Sequence, residues 1–390
     1  MISNKSWIAL LGFASGLSAF GMASVIPALP ALGAAMQAEF SSVQFVVSAY
    51  LLGLGLAQPV QGMLCDRYGR RPVLLTGFTV FAIASCAATF ATSLPLLIAA
   101  RFLQALGVSV ATVVARAMVR DTHDPERGAV ALAFITAVMG VAPILGPIAG
   151  GIVVAAWGWR AVFVMHALIA ALLLGGMAWL LVETRPAHLR AMSLPQILRA
   201  TQQLLGDRVF LGYTMVYGFA NGGSFAFLTV GAVLFEQLFQ LNPAQFGLLW
   251  AVLAVAYTIG AAAAGFLARR FGSAAVLRGG AALTLTSGLL FLAAALWHTP
   301  YLPAFMGALI LFTVGSGLAS PLALAGAVSN RPELAGVASG TSSSLAMLTC
   351  MAFAAVSGII FSGSATSSGV LVAGAGALAW VAARVALTRT

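Results

Sequence analysis

A run of about 20 apolar residues is long enough, as a helix, to cross the roughly 30 Å hydrocarbon core of a bilayer. This chain of 390 residues contains twelve such runs. They fall at about 7–29, 43–63, 73–93, 95–118, 128–154, 160–182, 209–234, 245–268, 275–297, 301–329, 335–361 and 366–387. The expected class is therefore an all-α integral membrane protein with twelve transmembrane helices. With 61% hydrophobic and 7% charged residues, an ordinary soluble domain is excluded.

The basic residues set the expected topology. Numbering the gaps between runs alternately, one set holds Lys5, Arg67, Arg70, Arg71, Arg120, Arg127, Arg185, Arg190, Arg199, Arg208, Arg269, Arg270, Arg278, Arg331, Arg384 and Arg389. The other set holds only Arg160, while Arg101 and Arg116 lie inside the fourth run. Positive charge accumulates on the cytoplasmic side of a membrane, so both termini are expected in the cytoplasm. The apolar run from Trp7 could imitate a signal peptide, but it is long enough to span and is read as a retained first helix.

Several function classes drop out. A net charge of +10 on a soluble protein would suggest a nucleic-acid partner. Here the arginines border the spans, and no basic, aromatic-interleaved soluble segment exists to hold nucleic acid. Cys65, Cys86 and Cys350 are unrelated in spacing, and His123, His166, His188 and His298 are scattered. Without a CxxC, HExxH, GxSxG or Walker loop, no metal, cofactor or enzymatic activity is expected.

The chain also repeats itself. The polar segment 183–208 carries four arginines and separates six spans from six. The expected organisation is a six-helix bundle over 1–182, a cytoplasmic linker over 183–208 and a second bundle over 209–390. The pattern G-x-L-x-x-R-aromatic-G runs from Gly62 to Gly69 and again from Gly265 to Gly272, an offset of 265 − 62 = 203 residues. A weaker echo pairs Pro125-Glu126 with Pro332-Glu333. Duplicated halves are a common plan of secondary transporters, with the substrate held between them near the midplane.

The first turn of the repeat reads GMLCDRYGRRP from Gly62 to Pro72. Its arginines satisfy topology alone; Asp66, an acid among cations at the membrane edge, needs another reason. A carboxylate there can pair with Arg70 or face the positive end of a helix. Gly62 and Gly69 are expected to permit close approach and a tight turn.

This loop resembles the signature of the major facilitator superfamily. The resemblance extends to Arg101-Phe-Leu-Gln104-Ala-Leu-Gly107 in the fourth span and to Gly146-Pro147-Ile-Ala-Gly150-Gly151 in the fifth, which looks like the family's antiporter motif. Pro27-Ala-Leu-Pro30, Gln58, the run from Arg116 to Asp121, and Trp157-Gly-Trp159-Arg160 resemble the branch that confers bicyclomycin and chloramphenicol resistance. The resemblance implies the major facilitator fold, two pseudo-symmetric six-helix bundles, working as a monomer. It also implies a gating cluster of Asp66, Arg70 and Asp121 beneath the helix ends, in a turn that includes Gly62, Arg67, Gly69 and Arg71.

Other residues are candidates on physical grounds. Glycines four apart, Gly146 and Gly150, give a smooth face for a neighbouring helix, and Pro143 and Pro147 interrupt backbone bonds. Together with Gly151 they are expected to form a hinge or seal. Arg101 lies where a charge costs roughly 2.5–3.5 kcal/mol, so a wet cavity or a partner is expected beside it. Gln58, Gln104 and Asn221 are polar groups for the same cavity or for helix-to-helix bonds, and Phe20, Phe225 and Tyr257 are candidates for an aromatic wall or plain packing. Trp157 and Trp159 read as interfacial anchors.

One departure stands out: none of the nine acids lies in the middle of a span. The branch usually carries an aspartate where this chain has Ala23. Proton coupling then falls to Glu39, Glu236 or His166, or is absent. A cavity with Arg101 and no carboxylate is expected to disfavour lipophilic cations. The sequence thus points to an exporter of small amphiphilic drugs or metabolites working by proton antiport. An uptake carrier, an uncoupled facilitator and a non-transporting receptor remain alternatives.

Overall fold

The computed structural model describes residues 4–186, 193–297 and 299–388, so His188, Arg190, His298 and Arg389 lie outside the described residues. Twelve helical spans of 20 to 32 residues are long and apolar enough to cross a membrane. The first comprises α1 (Asn4–Ala23), a 3-10 turn (Ile26–Ala28) and α2 (Leu29–Met36), followed by the short α3 (Phe40–Val43). Pro27, which has no N–H to donate, sits in the break between α1 and α2.

The remaining helices of the first half are α4 (Phe45–Tyr68), α5 (Arg70–Thr89), α6 (Leu94–Val108), α7 (Val110–Thr122), α8 (Pro125–Trp157) and α9 (Trp159–Leu180). The fourth span is broken at Ser109, whose hydroxyl bonds back to the Leu106 carbonyl at 3.0 Å and takes a hydrogen bond from the Gln61 amide. A side chain inserted into the helical ladder is a regular cause of such a break.

A connecting helix, α10 (Leu194–Leu205), leads to α11 (Arg208–Phe239), α12 (Pro243–Phe271), α13 (Ser273–Leu296), α14 (Leu302–Ser329), α15 (Ala335–Ile360) and α16 (Ala365–Ala386). Helix starts follow their sequence signals. Asp124 accepts the Arg127 N–H at 2.9 Å ahead of Pro125, and Asn242 and Gln245 form a reciprocal capping box ahead of Pro243. The 3-10 turn Pro332–Leu334 precedes α15, so the Pro-Glu echo leads into a helix in both halves.

The two halves are built alike. α5 packs on α6 and α9, as α13 packs on α14 and α16; α4 packs on α6, as α12 packs on α14. Where α5 crosses α6, a β-carbon on Gly77 would lie 2.5 Å from the Gly107 carbonyl oxygen, and one on Gly280 would lie 2.9 Å from that of Gly315 in the other half. The positive-φ residues among those described fall into three pairs: Gln37 with Gln240, Gly69 with Gly272, and Gly158 with Gly363. Their offsets are 240 − 37 = 203, 272 − 69 = 203 and 363 − 158 = 205 residues. The sequence echo at Gly69 is thus one of three places where the backbone itself repeats.

The halves meet along two helix pairs, α4 with α15 and α8 with α12, and where α2 and the 3-10 turn touch α11. Gln44 donates to the Ala355 carbonyl at 3.2 Å and Ser344 to the Gly55 carbonyl at 2.6 Å. The Gln44 contact lies at the end of α4 opposite the Asp66 turn, and the Ser344 contact near the middle of that helix. At the Asp66 end, α7 finds its packing partners inside its own half, on α1, α4, α5 and α8. Large apolar side chains such as Phe90, Leu172 and Trp179 point outward, about four-fifths exposed, as suits a surface solvated by lipid. Trp157 is also exposed, whereas Trp159 is only 5% exposed, stacked under Arg160 and edge-on to Phe163. The expectation that both tryptophans anchor the interface is corrected for Trp159, which points into the bundle.

Candidate functional site

The turn between α4 and α5 collects the charges that the sequence singled out. Gly69 closes α4 with φ 103° and ψ 161°, a backbone region essentially reserved for glycine. The next residue starts α5, whose first N–H groups have no partner within the helix. Glu183, just beyond α9, supplies one: its carboxylate accepts the N–H of Arg70 at 2.9 Å and of Arg71 at 3.1 Å. Burial opposes the Glu183 charge, but the N–H groups of Arg70, Arg185, Arg71 and Thr184 outweigh it and hold the carboxyl below its ordinary value.

The Arg70 side chain turns inward and is completely buried. Its Nη1 donates to Asp66 at 2.7 Å and to the Cys65 carbonyl at 2.8 Å, and its Nε donates to Asp121 at 3.0 Å. Asp66, Arg70 and Asp121 therefore form one cluster that ties α4, α5 and α7 together. Arg71 donates to the Ala178 carbonyl at 2.8 Å, and Arg67 lies outside, beside the Tyr68 ring. Gly62 departs from expectation. A β-carbon there meets nothing within 4 Å, so no close approach requires glycine at this position.

Arg101 is not on a wet surface, which corrects the cavity reading. It is 0% exposed, with Nη1 donating to the Gly21 carbonyl at 3.0 Å and to Gln104 Oε1 at 2.9 Å. Its guanidinium lies 4.0 Å from the centre of the Tyr50 ring, a favourable cation–π placement. Gln104, also wholly buried, passes the chain on by donating to Ser85 at 2.7 Å. The helix rotation that sequence alone does not give has turned Arg101 and Gln104 into the first bundle, where they crosslink α1, α4, α5 and α6.

His166 belongs to this interior. It is 0% exposed, 2.8 Å from the Ser24 hydroxyl through Nε2, and ringed by Phe20, Phe81 and Phe163. Arg101 lies close enough to act on it electrostatically. Ala23, at the position where the branch usually has aspartate, is 3% exposed and faces Gly146.

The fifth span stays helical through both prolines, from Pro125 to Trp157. Its glycines serve two faces. Gly146 and Gly150 lie against α1: a β-carbon on Gly146 would stand 3.0 Å from that of Ala23, and one on Gly150 would run into the Ser24 backbone. Gly151 faces the opposite half, 2.8 Å from the Pro243 carbonyl by the same measure, and the Pro147 carbonyl packs on Gly247. Pro143 lies one turn before them in the same helix.

In the second half, Asn221 donates to Ser320 at 2.8 Å and to the Tyr217 carbonyl at 2.8 Å, and Tyr257 lies close to Ser320. Asn221, Tyr217 and Tyr257 are each half-buried, joining α11, α12 and α14. Arg116 of α7 is exposed and lies close enough to act electrostatically on the Tyr217 hydroxyl. Gln58, Phe20 and Phe225 are half-buried. Glu39 and Glu236 are exposed near helix ends.

Comparison with known proteins agrees with this architecture. The sequence model of the Major Facilitator Superfamily matches residues 11–355. This chain belongs to the major facilitator superfamily. Among superfamily members it is 30% identical to Multidrug resistance protein D of Escherichia coli (strain K12) over 80% of this chain and 78% of that protein. It is 28% identical to the Bicyclomycin resistance protein homolog of Haemophilus influenzae, over 85% and 83%. In fold it is similar to the D-xylose-proton symporter, with a TM-score of 0.77 at 15% identity, covering 96% and 97% of the two chains. As a superfamily member it is a multi-pass membrane transporter of small molecules and not an enzyme.

Two residues beside these clusters were under-read in the sequence. Glu183 looked like the first residue of a polar linker, and no local pattern links it to a helix start 113 residues earlier. Arg116 was one of two arginines in the same span, and the sequence weighed Arg101 above it.

Proposed function

We propose that this transporter exports small amphiphilic drugs or metabolites across the bacterial inner membrane, by alternating access and in exchange for protons. In this reading residues 1–182 and 209–390 rock as two bodies joined by 183–208, with both termini and the Asp66 turn in the cytoplasm and the chain acting as a monomer. The arginine asymmetry between alternate loops supports that orientation. The observation that carries the reading is the seam between the halves. It is drawn tight by Gly151 against Pro243 and Gly247 against Pro147 at one end, while the main packing partners of α7, at the other, lie in its own half. A cavity open to the cytoplasm and shut to the outside is one station of such a cycle. The Asp66–Arg70–Asp121 cluster is the proposed gate on the open side, and the α8 glycines and prolines the proposed seal. The resistance proteins among its relatives support drug export.

A second reading, an uncoupled facilitator, is favoured by one feature, the lack of any acid in mid-span. Both are tested by expressing the full chain in an efflux-deficient bacterial host and in proteoliposomes. Export predicts raised resistance to members of a broad drug panel, abolished by Gly247→Leu at the seam. Unchanged susceptibility across the panel refutes export. Flux that follows an imposed pH gradient supports antiport, and Glu39→Gln, Glu236→Gln and His166→Gln then identify the carrier; flux indifferent to the gradient establishes the facilitator.

A further inference from the structure

α10 belongs to none of the twelve spans, and its three sides meet three different surroundings. Ile197, Ala200 and Leu204 share one side and are buried; Leu204 packs with Phe210, Ala327 and Ala338 at the ends of α11, α14 and α15. A second side carries Leu198, Thr201 and Leu205, and its two leucines are 60% and 43% exposed. The third side is polar, with Gln196, Arg199 and Gln203 exposed, and α10 contains no acid.

The second side is turned toward lipid. Thr201 meets Thr341 of α15, their hydroxyl oxygens 3.4 Å apart. At 3.6 residues per turn, Ala352 and Ile359 fall on the same stripe of α15 as Thr341. Ala352 is exposed and Ile359 is 61% exposed, on a surface solvated by the bilayer, whereas Thr341 is only 3% exposed beneath α10. α10 therefore lies on the lipid flank of the second bundle, with Leu198 and Leu205 on either side of the covered point.

Where α10 turns into α11 there is a cavity of about 690 Å³, lined by Gln202, Gln203, Gly206, Asp207, Arg208 and Arg331. Gln202 lies one helical turn from both Leu198 and Leu205, so the apolar stripe leads to the cavity rim. Arg208 is exposed and makes no ion pair or hydrogen bond among the described residues. Arg331, 49% exposed, lies 3.3 Å from Asp207 and 3.6 Å from Glu333. Asp207 also accepts the N–H groups of Val209 and Phe210 and the amide of Asn330. The two acids are thus committed on the Arg331 side, and the Arg208 charge stands uncompensated.

We propose that this is a binding site for an anionic phospholipid, its phosphate on Arg208 and Arg331 in the cavity and its acyl chains along Leu198 and Leu205. A guanidinium matches a phosphate in two parallel hydrogen bonds. Basic pockets at the membrane edge favour anionic headgroups, and an amphipathic helix buries its apolar side at the boundary of headgroups and chains. In the orientation proposed above, the lipid belongs to the cytoplasmic leaflet. The site then ties the segment that joins the two halves to the membrane.

The test titrates the purified full chain, in non-ionic detergent at neutral pH, with dioctanoylphosphatidylglycerol and separately with dioctanoylphosphatidylcholine. Bound lipid is counted by native mass spectrometry. Phosphatidylglycerol is expected to bind roughly tenfold more tightly, as arginines acting on a net negative headgroup predict. Arg208→Gln should bring it down to the phosphatidylcholine level and leave phosphatidylcholine unchanged, and Arg208→Lys should keep most of the preference. Arg269→Gln, at an exposed arginine that ends α12, should keep all of it. Leu198→Gln combined with Leu205→Gln should weaken both lipids alike. Equal binding of the two lipids, or a preference that survives Arg208→Gln, overturns the proposal. Displacement of the lipid by an equal concentration of inorganic phosphate also overturns it, in favour of a free-anion site. Arg208, Leu198 and Leu205 are exposed, so matched melting curves are expected and separate lost recognition from lost folding. Detergent has no leaflets, so binding does not depend on the orientation. Selective binding together with labelling of the 183–208 segment from outside the cell refutes the orientation and leaves the site standing.

Discussion

The carboxylate of Glu183 accepts the backbone N–H of Arg70 at 2.9 Å, so that a residue just beyond one span caps the helix that begins another. The same carboxylate accepts Arg71 N–H at 3.1 Å, and Arg70 carries the buried guanidinium that joins Asp66 to Asp121. Linker, cap and charge cluster are one mechanical unit.

Replacing Glu183 with alanine should therefore cost about 1 kcal/mol, the usual worth of an N-cap, and appear as a lower Tm in detergent. Acid should remove the same contribution. Because the folded carboxyl is held below its ordinary value, its stabilisation is present above the unfolded glutamate range, at about pH 4.3, and is lost as pH falls through the folded value. The parent and Glu183→Gln should differ at neutral pH and converge on acidification. Melting curves that stay parallel from about pH 6 to about pH 3 would show that the carboxylate is not the cap.

Asp121 and Asp66 both bind Arg70, but not equally. Asp121 is 6% exposed and Asp66 36% exposed, so solvent can replace the second and not the first. Asp121→Asn should destabilise by about 3 kcal/mol, toward the range for breaking a buried pair. Asp66→Asn should cost about 1 kcal/mol or less. The order of the two melting temperatures decides the point, and the reverse order refutes it.

The repeat gives an internal control for backbone strain. Gly69 and Gly272 share a positive φ, 103° and 83°, so alanine at either should cost about 1–3 kcal/mol. Only at Gly69 would the added methyl run into the Glu183 carboxylate, while at Gly272 it meets nothing within 4 Å. Gly69→Ala should accordingly lower Tm more than Gly272→Ala, and adding Glu183→Ala should narrow the gap between them.

Within α8, two glycines should respond in opposite directions. Gly150→Ala forces the Ser24 backbone away and should destabilise by about 2 kcal/mol or more, as overpacking does. At Gly140 a β-carbon meets open space, so Gly140→Ala should be neutral or stabilise by up to about 1 kcal/mol through helix propensity. Equal effects of the two would mean that α1 and α8 are not in backbone contact.

Much of this architecture is legible in the chain because its cause is local. A bilayer requires about 20 apolar residues per crossing wherever they occur, so the twelve spans can be counted without knowing how they pack. The Asp66 turn is legible for a similar reason, since Asp66 and Arg70 sit four residues apart across the Gly69 turn and pair locally. The repeat shows at Gly62–Gly69 because glycine at a positive φ leaves a mark in the sequence. At Gln37 and Gln240 the backbone repeats with φ 50° and 54°, and glutamine leaves no such mark.

The fate of the two intramembrane arginines was decided elsewhere. Sequence placed Arg101 and Arg116 in one span and marked Arg101 as costly, and it had no means of fixing the rotation of that span about its axis. Rotation is set by packing against neighbours: α1, α4 and α5 close over Arg101 with Gly21, Tyr50 and Gln104, while no helix covers Arg116. Hydrophobicity alone therefore determined that the chain lives in a membrane, how often it crosses and where it turns. Which polar groups are sealed inside a bundle and which face the space between bundles was decided by the tertiary structure, because a helix carries side chains on every side and only its neighbours choose among them.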